Sequence, residues 1–158
     1  MYFLGIETSC DETSASVIDE RGEVRSNVIA SQIARHQPFG GVVPEIASRE
    51  HLDHLMPTLR RALEDAGTSL DAIGVIAVTA GPGLIGALLV GVAAAQGLSY
   101  GLGKPLVPVN HLEGHIFSPY LRLSGEATPL PPRFLTLVVS GGHSSVYDVR
   151  NGDVWMLN

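Results

Sequence analysis

The sequence predicts an α/β protein with a mixed β-sheet covered by helices, and three features of its patterning carry that expectation. An opening run of short strands is divided by polar turns, the second containing a glycine, as antiparallel meanders are. Apolar strand-like segments then alternate with helical ones, the arrangement that lays helices over a sheet. A second meander closes the chain and repeats the form of the first: an apolar strand, a Ser/Gly/acid-type turn and a returning strand.

Tyr2 to Thr8 (YFLGIET) reads as a short apolar strand and Ser14 to Asp19 (SASVID) as a second, joined by the polar turn Ser9-Cys10-Asp11-Glu12. A third strand is expected from Val24 to Ser31, after Arg21-Gly22. The stretch Gln37-Pro38-Phe39-Gly40-Gly41 reads as a loop, and Pro44 suits the first turn of a helix, where a missing N–H is no loss. That helix gathers Ile46, Ala47, Leu55, Met56, Leu59, Leu63 and Ala66 on one face, with Arg49, Glu50, Asp53, Arg60 and Glu64 elsewhere. Pro57 predicts a kink or a division of it, and Gly67 a C-terminal stop.

Ile73 to Thr79 (IGVIAVT) has the continuous apolar character of a strand buried on both faces, and AGPGLIGA leads into a helix over Leu84 to Tyr100 that is apolar nearly all round. A short strand, Pro105 to Val109, precedes a helix that begins near His111. Residues 124 to 132 (SGEATPLPP) read as a linker. Phe134 to Val139, Ser144 to Val149 and Val154 to Leu157 form the second meander, with turns at Ser140-Gly141-Gly142 and Asn151-Gly152-Asp153. No helices of its own follow to cover it, so it reads as the start of a second lobe.

Composition narrows the function classes. Hydrophobic residues make up 45% and charged residues 16% of 158, with 18 glycines and 10 prolines, which is the profile of a globular protein with many tight turns. Cys10 alone cannot build a disulfide framework, no secretory leader opens the chain, and the cytoplasm is the expected location. Ala72 to Gly103 carries no charge, but Gly81-Pro82-Gly83 breaks the run and its unbroken apolar part falls short of the ~20 residues a bilayer requires, so no membrane partner is expected. A net charge of -6 with scattered cations argues against broad electrostatic binding of a polyanion.

Several stretches could carry chemistry. His111 and His115, four apart in NHLEGHIFSP, lie on one helix face within reach of one ion, while Glu113 points to roughly the opposite side. Two neutral imidazoles provide part of a metal site, although the same spacing suits a solvated or core-edge pair; the pattern is not HExxH. The turn from Thr8 to Thr13 offers amides to an anion and carboxylates to a metal or proton, or is a polar hairpin turn. Cys10 fits a small apolar filler and, as a nucleophile, has no identifiable base. Ser140-Gly141-Gly142-His143 leaves amides uncovered, or is a plain hairpin loop. Gly81-Pro82-Gly83 reads as a tight strand-to-helix turn in preference to an anion site. His36, His51 and His54 read as surface residues, and Glu45 as a partner of its helix dipole.

Taken in order, GIETSCDET, GGVVPEIASREH, TAGPGLIGALLVG, NHLEGH and VSGGH resemble the TsaD (Gcp) family, bacterial transferases that make threonylcarbamoyladenosine in tRNA. The resemblance spans the whole chain and implies the actin-like, sugar kinase and Hsp70 (ASKHA) fold, two similar lobes facing one cleft. Residues 1–123 would form the first lobe, 124–132 the linker and 133–158 the opening strands of the second. The implied reaction moves a threonylcarbamoyl group from threonylcarbamoyl adenylate to the exocyclic amine of adenosine 37 in tRNAs reading codons that begin with A. His111 and His115 match the family's ligands for one divalent ion, iron or zinc. Ser9, Asp11 and Glu12 match its first loop, with Asp11 or Glu12 expected to position or deprotonate the attacking amine. Val138, Val139, Ser140, Gly141 and Gly142 match a stretch that binds the adenylate. The family's chain continues about as long again, and an aspartate ligand for the metal belongs to that further half, so the third protein ligand is missing here. TsaB-like and TsaE-like proteins are the implied partners. The competing expectations are a non-catalytic TsaB-like scaffold, which would lack HLEGH and SGGH, and a metallopeptidase, which would need a base beside the ion.

Overall fold

Polar turns draw the first three strands together. β1 (Tyr2–Glu7), β2 (Glu12–Asp19) and β3 (Val24–Ser31) pair antiparallel, and the Asp19 carboxylate accepts from the Arg21 and Glu23 amides across the second turn. The computed structural model describes residues 1–122, 131–140 and 144–157. Alternation along the strands decides which face is covered: Leu4 and Ile6 of β1 and Ala15 and Val17 of β2 are buried, while their neighbours are more open.

A short helix that the sequence reading did not include, α1 (Ile33–His36), follows β3, and the expected loop begins with a 3-10 turn over Gln37–Phe39. α2 (Pro44–Asp65) is one continuous element, so Pro57 does not divide it. Pro57 is exposed, which leaves the carbonyl that loses its partner on the solvent side. Gly67, at φ +62°, closes the helix with its N–H on the Glu64 carbonyl and that of Thr68 on Leu63. The buried face of α2 is Ala47, His51, Leu55, Thr58, Leu59 and Ala62; Met56, expected among them, is exposed.

β4 (Ile73–Gly81) lies parallel to β1, and β5 (Leu106–Asn110) lies parallel to β4. The sheet order is β3-β2-β1-β4-β5, so β1 is central and its C-terminal end opens at the middle of one sheet edge. α3 (Ile85–Leu102) packs on β4 and against α2. It is the one helix among the described residues whose length and composition would allow it to cross a membrane. Its apolar surface is divided, however: Ala87, Gly91 and Ala95 are buried, whereas Ile85, Leu89 and Tyr100 are exposed. Gly91 is required by a close approach, since a Cβ there would sit 2.3 Å from Thr8 Oγ1.

The second sheet, in order β6-β7-β8, comprises β6 (Arg133–Val139), β7 (Ser144–Arg150) and β8 (Asp153–Met156). Asn151 and Gly152 both take positive φ, 52° and 94°, as a two-residue type I′ hairpin turn requires. Apart from Pro131 and Pro132, the expected linker lies outside the described residues. The meander has no helix of its own among the described residues, and one of its faces is covered by the preceding α4 (His111–Phe117): Leu112, Ile116 and Phe117 pack with Phe134, Val138, Tyr147, Val149 and Val154. The other face stays open, with Leu135, Leu137 and Val139 exposed in alternation.

Buried Asp148 on β7 is held by Arg133 (3.0 and 2.7 Å) and by Arg150 (2.8 and 2.6 Å). Hydrogen bonds from these two guanidinium groups keep its carboxyl well below the usual carboxylate range. A carboxyl pKa lowered on folding contributes stability above its unfolded value and loses it as pH falls. The second sheet should therefore loosen as pH drops through and below 3.8, the ordinary aspartate value. Trp155, the single tryptophan, pairs directly with Asp148 and reports the change by fluorescence. Asp148→Asn should show the loosened spectrum already at neutral pH, and an unaltered spectrum there would contradict the assignment.

Candidate functional site

β1 runs from an apolar core into the polar sequence Glu7-Thr8-Ser9, and each of these residues finds its partner in a different element. Thr8, fully buried, donates from Oγ1 to the Ala87 carbonyl of α3 at 2.9 Å. The Ser9 carbonyl accepts from the Leu84 amide at 2.8 Å, and a Cβ on Gly83 would meet that carbonyl oxygen at 2.6 Å. Gly83 is therefore demanded by contact with Ser9, and the Leu84 N–H at the head of α3 is already used. This favours packing over anion binding for Gly81-Pro82-Gly83.

Glu7 is the charged group at this junction. Its Oε1 accepts from the Ser9 amide, and its Oε2 accepts from Thr79 Oγ1 at 2.5 Å. His111 Nδ1 lies 3.2 Å from the same Oε2 and 3.1 Å from Ser9 Oγ. Burial by itself would raise the Glu7 carboxyl, but hydrogen bonds from the Ser9 hydroxyl, Thr79, the Ser9 amide and His111 outweigh it and hold the group below its ordinary value. Glu7 is thus a carboxylate that accepts only.

The rest of the loop is fixed from beneath by His51, which is fully buried on α2. Its Nδ1 is 2.7 Å from Thr13 Oγ1 and its Nε2 is 3.0 Å from the Cys10 carbonyl. A carbonyl only accepts, so Nε2 carries the proton and Nδ1 accepts from the Thr13 hydroxyl. Burial is the main reason that the His51 pKa is lowered, which keeps the ring neutral. Gln32 links this ring to His36, at 3.4 Å from His51 Nδ1 and 3.1 Å from His36 Nε2, and His36 Nδ1 accepts from the Val43 amide at 3.2 Å. The surface positions expected for His36 and His51 are therefore wrong: both are buried, because each ring nitrogen of each meets a partner.

Asp11 is half-exposed, and Glu12 is exposed at the start of β2 opposite Ser31. Among the described residues, neither carboxylate hydrogen-bonds to His111 or His115. Cys10 is exposed and is no core filler. Desolvation together with neighbouring Asp11 and Glu7 pushes its thiol up to about 11, so it is not a thiolate at neutral pH.

Asn110, the last residue of β5, starts α4 by accepting from the amides of Leu112 (2.9 Å) and Glu113 (3.4 Å). One turn of helix then brings the Nε2 atoms of His111 and His115 to 3.3 Å, with the rings edge-on at 87°. Two imidazoles bound to tetrahedral zinc at about 2.0–2.1 Å would place their nitrogens about 3.3–3.4 Å apart, so the pair fits as two ligands of one ion. No cluster of three or more His, Cys, Asp or Glu side chains able to hold a metal exists among the described residues.

A cavity of about 270 Å³ joins this pair to the second sheet; its lining includes His111, His115, Thr136, Val138, Val139 and Ser140. Six of the residues expected from sequence are thereby brought together: Ser9 through His111, the two histidines, and Val138, Val139 and Ser140. Gly141 and Gly142 lie outside the described residues. Sequence reasoning missed Glu7, Thr79 and His51. A charge ending an otherwise apolar central strand signalled Glu7, and a four-residue step from both Ala47 and Leu55 signalled His51 on the core face of α2.

The family model described as TsaD, tRNA N6-adenosine threonylcarbamoyltransferase, matches residues 23–157. Proteins of that name from Koribacter versatilis and Syntrophobacter fumaroxidans are 56% and 51% identical over 95% and 94% of this chain. The chain spans less than half of their length, 40% and 43% respectively. Among solved structures, YeaZ from Pseudomonas aeruginosa is 18% identical, with a TM-score of 0.60 over 99% of this chain and 64% of that one. That likeness shows the fold, a mixed α/β architecture of the ASKHA type.

The His51 network sets a stability expectation. His51→Ala leaves the Thr13 hydroxyl and the Cys10 carbonyl without their partner and should cost about 2–4 kcal/mol in urea unfolding. A histidine pKa lowered on folding means that the unfolded chain takes up the proton first, so stability falls as pH drops through the ordinary value of 6.5. That slope should flatten in the variant; equal slopes in the two proteins would contradict the assignment.

Proposed function

We infer that this chain, which belongs to the TsaD family of tRNA N6-adenosine threonylcarbamoyltransferases, supplies the first-lobe half of a transferase site acting on adenosine 37 of tRNA. The observation that carries this reading is the cavity that the His111–His115 pair shares with Val138–Ser140, together with Ser9 Oγ 3.1 Å from His111 Nδ1. In the proposed reaction the exocyclic amine of adenosine attacks the carbamoyl carbon of threonylcarbamoyl adenylate. A C–N bond forms, the C–O bond to the adenylate phosphate breaks, AMP leaves and the amine loses a proton.

Iron or zinc held by His111 and His115, with a further ligand from the part of the relatives that extends beyond this chain, would polarise the carbamoyl oxygen as a Lewis acid. Val138, Val139 and Ser140, with Gly141 and Gly142, are assigned to the adenylate. Asp11 and Glu12 are assigned to the amine, which must approach from the open side of the loop, where these carboxylates are solvent-accessible. A peptidase reading gains no support: Glu7, the acid that meets the pair, sits on the Nδ1 side of His111, away from the point at which a metal-bound water would need a base.

TsaB-like and TsaE-like partners and a cytoplasmic setting complete the proposal. A net charge of -6 accords with a subunit that shares its grip on tRNA. Leu52 and Met56 of α2 and Ile85 and Leu89 of α3, exposed on two helices that pack together, offer an apolar surface for a protein partner. In an assembly containing this chain and its partners, His111→Ala should lower threonylcarbamoyl transfer to tRNA by roughly 10²–10³-fold. Asp11→Ala tests the amine assignment in the same assay. Undiminished transfer by the His111 variant would overturn the reading.

A further inference from the structure

We propose that Glu7 is a positioning residue that locks His111 in the Nδ1–H tautomer and thereby presents its Nε2 lone pair at the point where Nε2 of His115 converges. The inference rests on the metal reading given above for the histidine pair; the role of Glu7 is its new content.

The proton arrangement follows from counting donors. The Ser9 amide, which can only donate, reaches Oε1, and the Thr79 hydroxyl, facing a carboxylate, donates to Oε2. An ionised carboxylate has no hydrogen to offer in return. His111 Nδ1, 3.2 Å from Oε2, can face that oxygen favourably only as N–H, since an unprotonated nitrogen there would set lone pair against negative charge. Ser9 Oγ, 3.1 Å from the same Nδ1, is compatible with this arrangement as a second acceptor for that N–H. A neutral imidazole with Nδ1 protonated has its lone pair on Nε2. That atom lies 3.3 Å from Nε2 of His115. A carboxylate behind a ligating imidazole fixes the tautomer, the ring orientation and the basicity of the ligand.

The site also dictates what a substitution does. In Glu7→Gln the Ser9 amide remains a donor, so it retains the amide oxygen of Gln and turns the NH₂ group toward Thr79 and His111. Thr79 can rotate its hydroxyl to accept; His111 must instead place its lone pair on Nδ1 and its hydrogen on Nε2. The glutamine variant, nearly equal in shape, should therefore reverse the tautomer and remove the lone pair from the convergence point.

The test is ¹⁵N NMR of the histidine ring nitrogens in the metal-free chain, at a pH where both rings are neutral, followed by titration with Zn²⁺ alone. The wild-type chain should show His111 protonated on Nδ1, and Glu7→Gln should show it protonated on Nε2, with Zn²⁺ affinity about 10–100-fold weaker. Two results would overturn the proposal: a wild-type His111 protonated on Nε2, which needs no variant to observe, or a folded Glu7→Gln that keeps both the wild-type tautomer and the wild-type affinity. A tautomer that reverses as expected in a chain that binds no Zn²⁺ would separate the two ideas, removing the metal reading and leaving the positioning role intact.

Discussion

A carboxylate at the end of the central strand must be satisfied without water on every side, and the rest of the site follows from how that is done. Glu7 ends β1 at the middle of the sheet, where Thr79 of the neighbouring β4, Ser9 of the following loop and His111 of α4 all direct hydrogens at it. Three segments far apart in sequence are thereby fixed relative to one carboxylate. The glycines at 83 and 91 serve the same junction from the α3 side, since a Cβ on either would intrude on Ser9 or Thr8. Rigid elements thus carry Glu7, Thr79 and His111, while Asp11 and Glu12, where the loop passes into β2, stay open to solvent at its outer side.

α4 is the element that joins the two sheets. It starts directly from β5 through the Asn110 cap, so its first residue, His111, inherits its place from the large sheet. Its apolar side, with Ile116 at the centre, packs on the small sheet. A seven-residue helix with both duties leaves its two histidines in the seam, facing the end of β6 across the cavity. The apolar side of the small sheet that α4 does not reach remains exposed.

Most of the architecture was legible because local rules and global packing agree. Alternation and turn residues marked the strands, and Gly67 and the Asn-Gly turn behaved as their backbone freedom requires. The departures share one cause, which is tertiary context. Pro57 was tolerated within α2 because it faces solvent, and the all-apolar helix proved to bury only its narrow Ala87, Gly91 and Ala95 stripe. His36 and His51 were misplaced because a histidine reads as polar in a sequence, whereas a network that satisfies both ring nitrogens makes it a core residue. At the site, the spacing of His111 and His115 was visible in NHLEGH, but the carboxylate behind His111 lies 104 positions away and only folding brings it there.

The first loop, α4 and the end of β6 converge around the histidine pair. Titrating the ¹⁵N-labelled chain with Co²⁺, a paramagnetic stand-in for zinc, and following which backbone amide signals shift and broaden tests this most directly. Convergence predicts that the signals of Ser9, of His111 to His115 and of Val138 to Ser140 respond together, at the same cobalt concentration. Perturbation confined to α4, or no response at the histidine pair, would contradict it.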